Sequence, residues 1–187
     1  MYHNIVKSID EGKSCCVVFC DLSKAFDRVW HKGLLFKLET YGISGGLLDW
    51  FNSYLCNRTQ KVMCNDILSS TSCIKAGVPQ GSVLGPLLFI LYVNDVSKNM
   101  LSFCRLFADD NCIQYSSQNV SCIGNNINHD LLVLEQWSSK WLLTLTQLKP
   151  RLSFLHRNQV IFFQHCQLED IPTHKHLGLL FLSGKTT

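Results

Sequence analysis

Residues 14 to 21 read SCCVVFCD, an uninterrupted apolar run closed by the carboxylate of Asp21. A run of this kind, without polar alternation, suits a strand covered on both faces in the interior of a sheet. Such a strand demands neighbours along both edges and layers above and below. The chain can supply them: it has 187 residues, 47% hydrophobic and 17% charged, which is enough for one globular domain with a real core. The formal net charge of +3 permits a nucleic-acid partner without arguing for one.

The segments that follow complete an α+β pattern. HKGLLFKLETYG (31–42) reads as a helix stopped at Gly42, and SGGLLDWFNSYLCN (44–57) as a second, with Ser44 as its N-cap. TQKVMCN and SSTSCIKA read as the strands of a hairpin turning through NDILSS. GVPQG (77–81) is a loop, because Gly77, Pro79 and Gly81 resist regular structure, and SVLGPLLFILYVNDV behind it is a buried helix with Ser82 near its start. SFCRLFA and NCIQYS flank Asp109 and Asp110 as the arms of a hairpin. Ile127, Leu131, Leu134, Trp137 or Ser138, and Trp141 mark one face of a long amphipathic helix. Beyond Pro150 the pattern loosens; QVIFFQH reads as one strand and HKHLGLLFL as another.

Ten cysteines fall singly within apolar runs and form no Cys-x-x-Cys. They read as small buried hydrophobes of a reducing compartment rather than a disulfide framework or a zinc site. MYHNIVKSIDEGK lacks the apolar core of a signal peptide, and VLGPLLFILYV is too short to span a bilayer and carries Gly85 and Pro86. The expectation is a soluble chain, or one carried by a larger protein, with no membrane partner.

Asp21 ends the first strand, and Asp109 and Asp110 lie at the bend of the hairpin. If strand and hairpin are neighbours in one sheet, three carboxylates converge at one edge. Like charges so close repel and raise one another's pKa, and the natural partner is a hard divalent cation, Mg²⁺ or Mn²⁺. Two such ions form a device for phosphoryl transfer, one activating a hydroxyl and one steadying the leaving pyrophosphate. Taken alone, Asp-Asp at a bend is also an ordinary turn, and Asp21 is also a possible helix cap.

Three stretches read in order resolve that choice. FCDLSKAFDRVWHKGLL (19–35), AGVPQGSVLGPLLFILYVND (76–95) and LFADD (106–110) resemble the reverse transcriptase domain of jockey-like non-LTR retrotransposons. YGISGGLLDWFNSYLCNRTQKV (41–62) and HKHLGL (174–179) are similar to the same family. The resemblance implies a right-hand polymerase palm, an antiparallel sheet packed on helices, with part of the fingers and no thumb: residues 1–187 as a partial domain cut at both ends of a longer polyprotein.

The resemblance also implies roles. Asp21, Asp109 and Asp110 would be the catalytic, metal-holding triad for two Mg²⁺ ions, with Mn²⁺ as a substitute, and the carbonyl of Leu22 a further ligand. Asp27 would be structural. Phe26 would pack under the incoming sugar and reject a 2′-hydroxyl, a role compatible with plain core packing. Gln80 would hydrogen-bond near the incoming nucleotide and template, and Gly81 would let the backbone approach. Lys149 would protonate pyrophosphate, although Thr146 stands where the family has asparagine and Pro150 follows the lysine. His174 and His176 lack the further ligands of a zinc site, and their strand would touch the primer backbone. The partners implied are an RNA template, a DNA primer, dNTP, and the endonuclease and thumb of the parent polyprotein, with access to the nucleus. An inactive remnant of such an element, or another palm enzyme such as a nucleotidyl cyclase, is the alternative reading.

Overall fold

The structure is a computed structural model that describes residues 2–108, 110–145, 151–154, 162–163, 166–167, 173–176 and 179–182. In chain order the elements are α1 (Tyr2–Asp10), β1 (Ser14–Asp21), a single 3-10 turn (Ala25–Asp27), α2 (His31–Thr40), α3 (Gly46–Leu55), β2 (Thr59–Gln60), β3 (Met63–Cys64), β4 (Ile67–Leu68), β5 (Ser72–Cys73), α4 (Leu84–Val93), β6 (Phe103–Phe107), β7 (Asp110–Ser117), α5 (Val120–Lys140), β8 (Arg151–Phe154), β9 (Phe162–Phe163), β10 (Cys166–Gln167), β11 (Thr173–His176) and β12 (Leu179–Leu182). They form two compact units, one of residues 1–23, 96–138 and 144–187, the other of residues 24–95 and 139–143.

The first unit is built on a four-stranded antiparallel sheet in the order β6-β7-β1-β8. The apolar run takes the interior position expected of it. Side chains alternate across a strand, so Cys15, Val17, Phe19 and Asp21 share one face with their β7 partners Ser116, Gln114, Cys112 and Asp110. On that face Ile5 of α1 packs with Cys15, Val17 and Cys112, with Phe19 against them. The Ser8 hydroxyl of α1 donates to Ser116 Oγ at 3.0 Å. The opposite face carries Cys16, Val18, Ile113 and Cys104. Burial, with the Asp130 charge adding to it, pushes the Cys104 thiol up to about 11.

The α5 stripe is Ile123, Ile127, Leu131, Leu134 and Trp137, all buried. Its buried Asp130 accepts the backbone N–H groups of Leu101 and Ser102, both at 2.8 Å. That carboxylate fixes the approach to β6.

The second unit joins α2, α3 and α4 around Leu34, Leu38, Leu55, Leu88, Phe89 and Tyr92, all fully buried. Lys37 is buried among them. Its Nζ donates to the Tyr92 carbonyl and to Asp95 and lies 3.8 Å from the centroid of the Trp141 ring. Burial, opposed by the Asp95 carboxylate, lowers its pKa to about 8.

Several local expectations change. Gly45, at φ 60 and ψ −143, is the N-cap of α3 rather than Ser44; only glycine holds that backbone without strain. The hairpin of residues 59–73 is nested: β2 pairs with β5, and β3 with β4, so Ile67 and Leu68 lie in a strand inside the expected turn. The bend is Asn65-Asp66, both at positive φ, as a tight two-residue hairpin requires. HKHLGLLFL is two strands, β11 paired with β12. The cysteines divide: Cys15, Cys16, Cys20 and Cys112 are buried, whereas Cys64, Cys73 and Cys122 are exposed. No helix among the described residues is long and apolar enough to cross a membrane.

Two predictions follow from this packing. Asp130→Ala removes a buried carboxylate that accepts two part-buried backbone N–H groups and is expected to cost about 2 kcal/mol, read by urea denaturation. Burial pushes Cys15 and Cys104 up to about 11 and Cys20 and Cys112 up to about 12, from 9.0. The folded chain therefore keeps protons that the unfolded chain gives up above pH 9. Stability from these thiols is complete below pH 9 and is lost progressively as pH rises toward 11 to 12. A urea midpoint that does not fall between pH 9 and 11 would contradict this.

Candidate active site

β1 and β7 pair so that Asp21 lies directly opposite Asp110. Directly opposed residues in an antiparallel pair project to the same face, so the two carboxylates share one end of one sheet face. Asp21 is exposed and Asp110 half-buried. In the β6–β7 hairpin Phe107 pairs with Asp110, and Ala108 follows β6 in the turn. Ala108 sits at φ 53, a left-handed conformation uncommon for a residue with a Cβ. The expected bend is therefore real and tight, and Asp110 itself belongs to the ladder. Asp109 and Lys149 lie outside the described residues, and among the described residues no group of three metal-ligating side chains is found.

The chain leaves the sheet just after Asp21. Leu22 is buried and bridges antiparallel to Leu145, and the Ser23 N–H donates to the Thr144 carbonyl at 2.8 Å. The residues after β1 are thus pinned to those after α5, a pairing that the loose pattern near residue 145 did not disclose.

Phe26, Gln80 and Gly81 belong to the second unit. Phe26 is half-buried and stacks on Phe89 of α4, with centroids 4.4 Å apart and planes at 28°. The Val78 N–H donates to the Phe26 carbonyl at 2.8 Å and the Gly77 N–H to the Val29 carbonyl at 2.8 Å. His31 Nε2 lies 2.7 Å from the Gly77 carbonyl. Gln80 Nε2 donates to Asp27 Oδ1 at 2.7 Å. Ser82 Oγ donates to the Pro79 carbonyl at 2.6 Å and accepts the Gly85 N–H at 3.0 Å, closing the loop onto the start of α4. Gly81 sits at φ 78, with open space where a Cβ would stand.

Gly77 is the tighter position. It sits at φ +95, and a Cβ there would lie 2.9 Å from the Asp27 carbonyl oxygen. The Pro/Gly content of GVPQG indicates a loop; that Gly77 is the point of contact with the 3-10 turn follows only from the tertiary structure.

The fold matches that of solved telomerases. Apo telomerase from Candida tropicalis, truncated from its C-terminal domain, aligns with a TM-score of 0.66 at 13% identity over 97% of this chain and 36% of that one. Telomerase from Candida albicans in complex with a fragment of telomeric RNA aligns with a TM-score of 0.63 at 14% identity, over 98% of this chain and 34% of that one. An antiparallel sheet on helices, with carboxylates gathered at one end, is in this fold a polymerase palm.

The sequence comparisons narrow the class. A model of the family described as reverse transcriptase (RNA-dependent DNA polymerase) matches residues 3–177. The "Probable RNA-directed DNA polymerase from transposon X-element" of Drosophila melanogaster is 34% identical over 191 residues, covering 95% of this chain and 21% of that protein. The RNA-directed DNA polymerase from mobile element jockey of the same organism is 33% identical over 140 residues, covering 70% and 15%. The chain belongs to the reverse transcriptase family, of the kind carried by non-LTR retrotransposons. It spans about a fifth or less of the length of these relatives. The family works with divalent metal ions, and Asp21 and Asp110 offer the hard oxygen donors that such ions take.

Gly77→Ala adds both a strained φ and a clash with backbone. It is expected to destabilise the second unit by about 2 kcal/mol, whereas Gly81→Ala, strained in φ but free of any clash, is expected to cost about 1 kcal/mol. Thermal denaturation of the two variants checks the order.

Proposed function

We propose that this chain is the palm, with part of the fingers, of an RNA-directed DNA polymerase that adds dNTP to a primer 3′-hydroxyl. The observation that carries the reading is the register that sets Asp21 opposite Asp110 on one sheet face. Asp21, Asp109 and Asp110 would hold two Mg²⁺ ions, with Mn²⁺ able to replace them, and the Leu22 carbonyl, beside Asp21 in the chain, would be a further oxygen donor. Bound there, the ions would lower the pKa of the primer hydroxyl and offset the charge of the departing pyrophosphate.

The bond formed joins the primer 3′-oxygen to the α-phosphorus, and the bond broken is that from the α-phosphorus to the bridging oxygen. Lys149 supplies the proton that pyrophosphate takes on leaving. Phe26, braced by Phe89, presents a ring that leaves no room for a 2′-hydroxyl. Gln80 hydrogen-bonds at the incoming nucleotide, exchanging its Asp27 partner, while Gly81 keeps that approach free of a side chain. The RNA template, the DNA primer and the further domains of a longer polyprotein, endonuclease and thumb, are the partners.

Primer extension on oligo(dT)-primed poly(rA) with Mg²⁺, then Mn²⁺, tests the reading. Wild-type chain is expected to extend the primer, and the Asp109→Asn, Asp110→Asn double variant to fall to background. Equal extension by the two would sink the assignment. Binding of Mn²⁺ by the whole chain, followed by its paramagnetic resonance signal, gives a readout without turnover and should be lost in the same variant. Phe26→Val is expected to raise ribonucleotide incorporation relative to dNTP, with little change if the ring is only core.

A further inference from the structure

The second unit carries a feature that neither the metal site nor the PQG loop explains. On α3, Trp50 and Tyr54 stand four residues apart, one turn of helix, and their rings stack with centroids 5.6 Å apart and planes at 14°. Just past the end of α3, Arg58 lies over the Tyr54 ring at 5.4 Å and its Nη1 donates to the Tyr54 carbonyl at 3.4 Å. Trp50 is 49% exposed, so this ladder of two rings and a guanidinium faces outward.

The ladder leads into a cleft of about 640 Å³ lined by Lys24, Arg58 and Lys75 together with Asp27, Pro79 and Gln80. Asp27 is the single carboxylate in that lining, and one of its oxygens is taken by Gln80. Lys24, Arg58 and Lys75 have no ion-pair partner among the described residues. The cleft is therefore cationic, and a guanidinium held beside a ring and tied to a backbone carbonyl is placed to meet a phosphate or a base plane.

We propose that the Trp50–Tyr54–Arg58 ladder and the cleft beyond it form a track for a single-stranded nucleic acid, with bases stacked on the rings and phosphates on Arg58, Lys75 and Lys24. Alternating stacking surface and cations is the chemistry that holds a single strand without regard to sequence. The two observations are independent, one aromatic and one electrostatic, and both belong to the same unit. The identification of the strand as the template rests on the polymerase reading; the binding itself does not.

The test uses the whole chain and a fluorescein-labelled 12-nucleotide single-stranded RNA, with an equivalent DNA, read by anisotropy across a salt series without divalent ions. Trp50→Ala is expected to weaken binding of both strands about ten-fold with the salt slope unchanged, and Trp50→Phe, which keeps a ring, to restore most of it. Arg58→Ala with Lys75→Ala is expected to lower the salt slope by about 1.4, at about 0.7 per phosphate contact on a single strand. Crosslinking of a 4-thiouridine RNA, mapped by mass spectrometry, is expected on Trp50 or Tyr54.

Absence of RNA binding by the folded wild-type chain, or affinity unaltered by Trp50→Ala, would overturn the track and leave Trp50 as a surface for another protein segment. Displacement of RNA by dNTP, with RNA affinity indifferent to Trp50, would assign the cations to a triphosphate instead. Loss of primer extension in the Asp109→Asn, Asp110→Asn variant touches none of these outcomes, so the two readings fail separately.

Discussion

The antiparallel register of β1 against β7 is the constraint on which the candidate site depends. With Asp21 opposite Asp110, Cys15, Val17 and Cys112 meet Ile5 of α1 and both carboxylates come to one face. A slip of one residue would send every side chain of β1 to the other face. Asp21 would then point with Cys16 and Val18, positions that are fully buried. The register is thus held by apolar burial along the strand, and the carboxylates are carried to their place by it. They do not hold it themselves, since like charges directly opposed disfavour pairing.

Local costs accumulate at that end of the sheet. Ala108 takes a positive φ, and Asp110 faces Asp21. Asn111, next in the strand and 2% exposed, has no partner for its amide oxygen or nitrogen among the described residues. Each departs from a rule that the rest of the sheet obeys, and buried polar groups left unpaired are rare. Rule-breaking gathered at one point of an otherwise consistent element is what a site shaped for binding looks like. The loop of residues 77–81 has the opposite character. It is laced to the 3-10 turn by the bonds of Gly77 and Val78 and to α4 by Ser82, so its backbone is held from both sides.

The strand ending in Asp21, the hairpin of β6 and β7 and the amphipathic stripe of α5 were all legible, because each is written in the period or chemistry of a single segment. The ordered motifs made the family legible too. What escaped is tertiary. Lys37 reads as one more polar residue of a helix, and nothing local says that its ammonium is enclosed by Trp141, Tyr92 and Asp95. Asp130 looks like a surface charge of α5 until the N–H groups of Leu101 and Ser102 are seen to need it. β8 went unread because four residues, RLSF, carry too short an alternation, and the strand is recognisable only by the edge of β1 that it covers. The helix α1 went unread as well, its nine residues YHNIVKSID carrying only Ile5, Val6 and Ile9 as aliphatic positions.

The net charge of +3 conceals two opposite problems. At the end of the β1–β7 ladder, carboxylates are brought together and call for cations. In the cleft beneath the PQG loop, Lys24, Arg58 and Lys75 are brought together and call for anions. Neither arrangement is explained by stability, since gathering like charges works against the compact state. A nucleic-acid substrate meets both demands with one chemistry, because phosphate binds a hard cation as readily as it binds a guanidinium. A small soluble metabolite could occupy one of these places; the proposed single strand matches both the exposed ladder of stacked rings and the cationic cleft, because it repeats base and phosphate along its length. That repetition ties the electrostatics of the second unit to a strand rather than to a lone nucleotide.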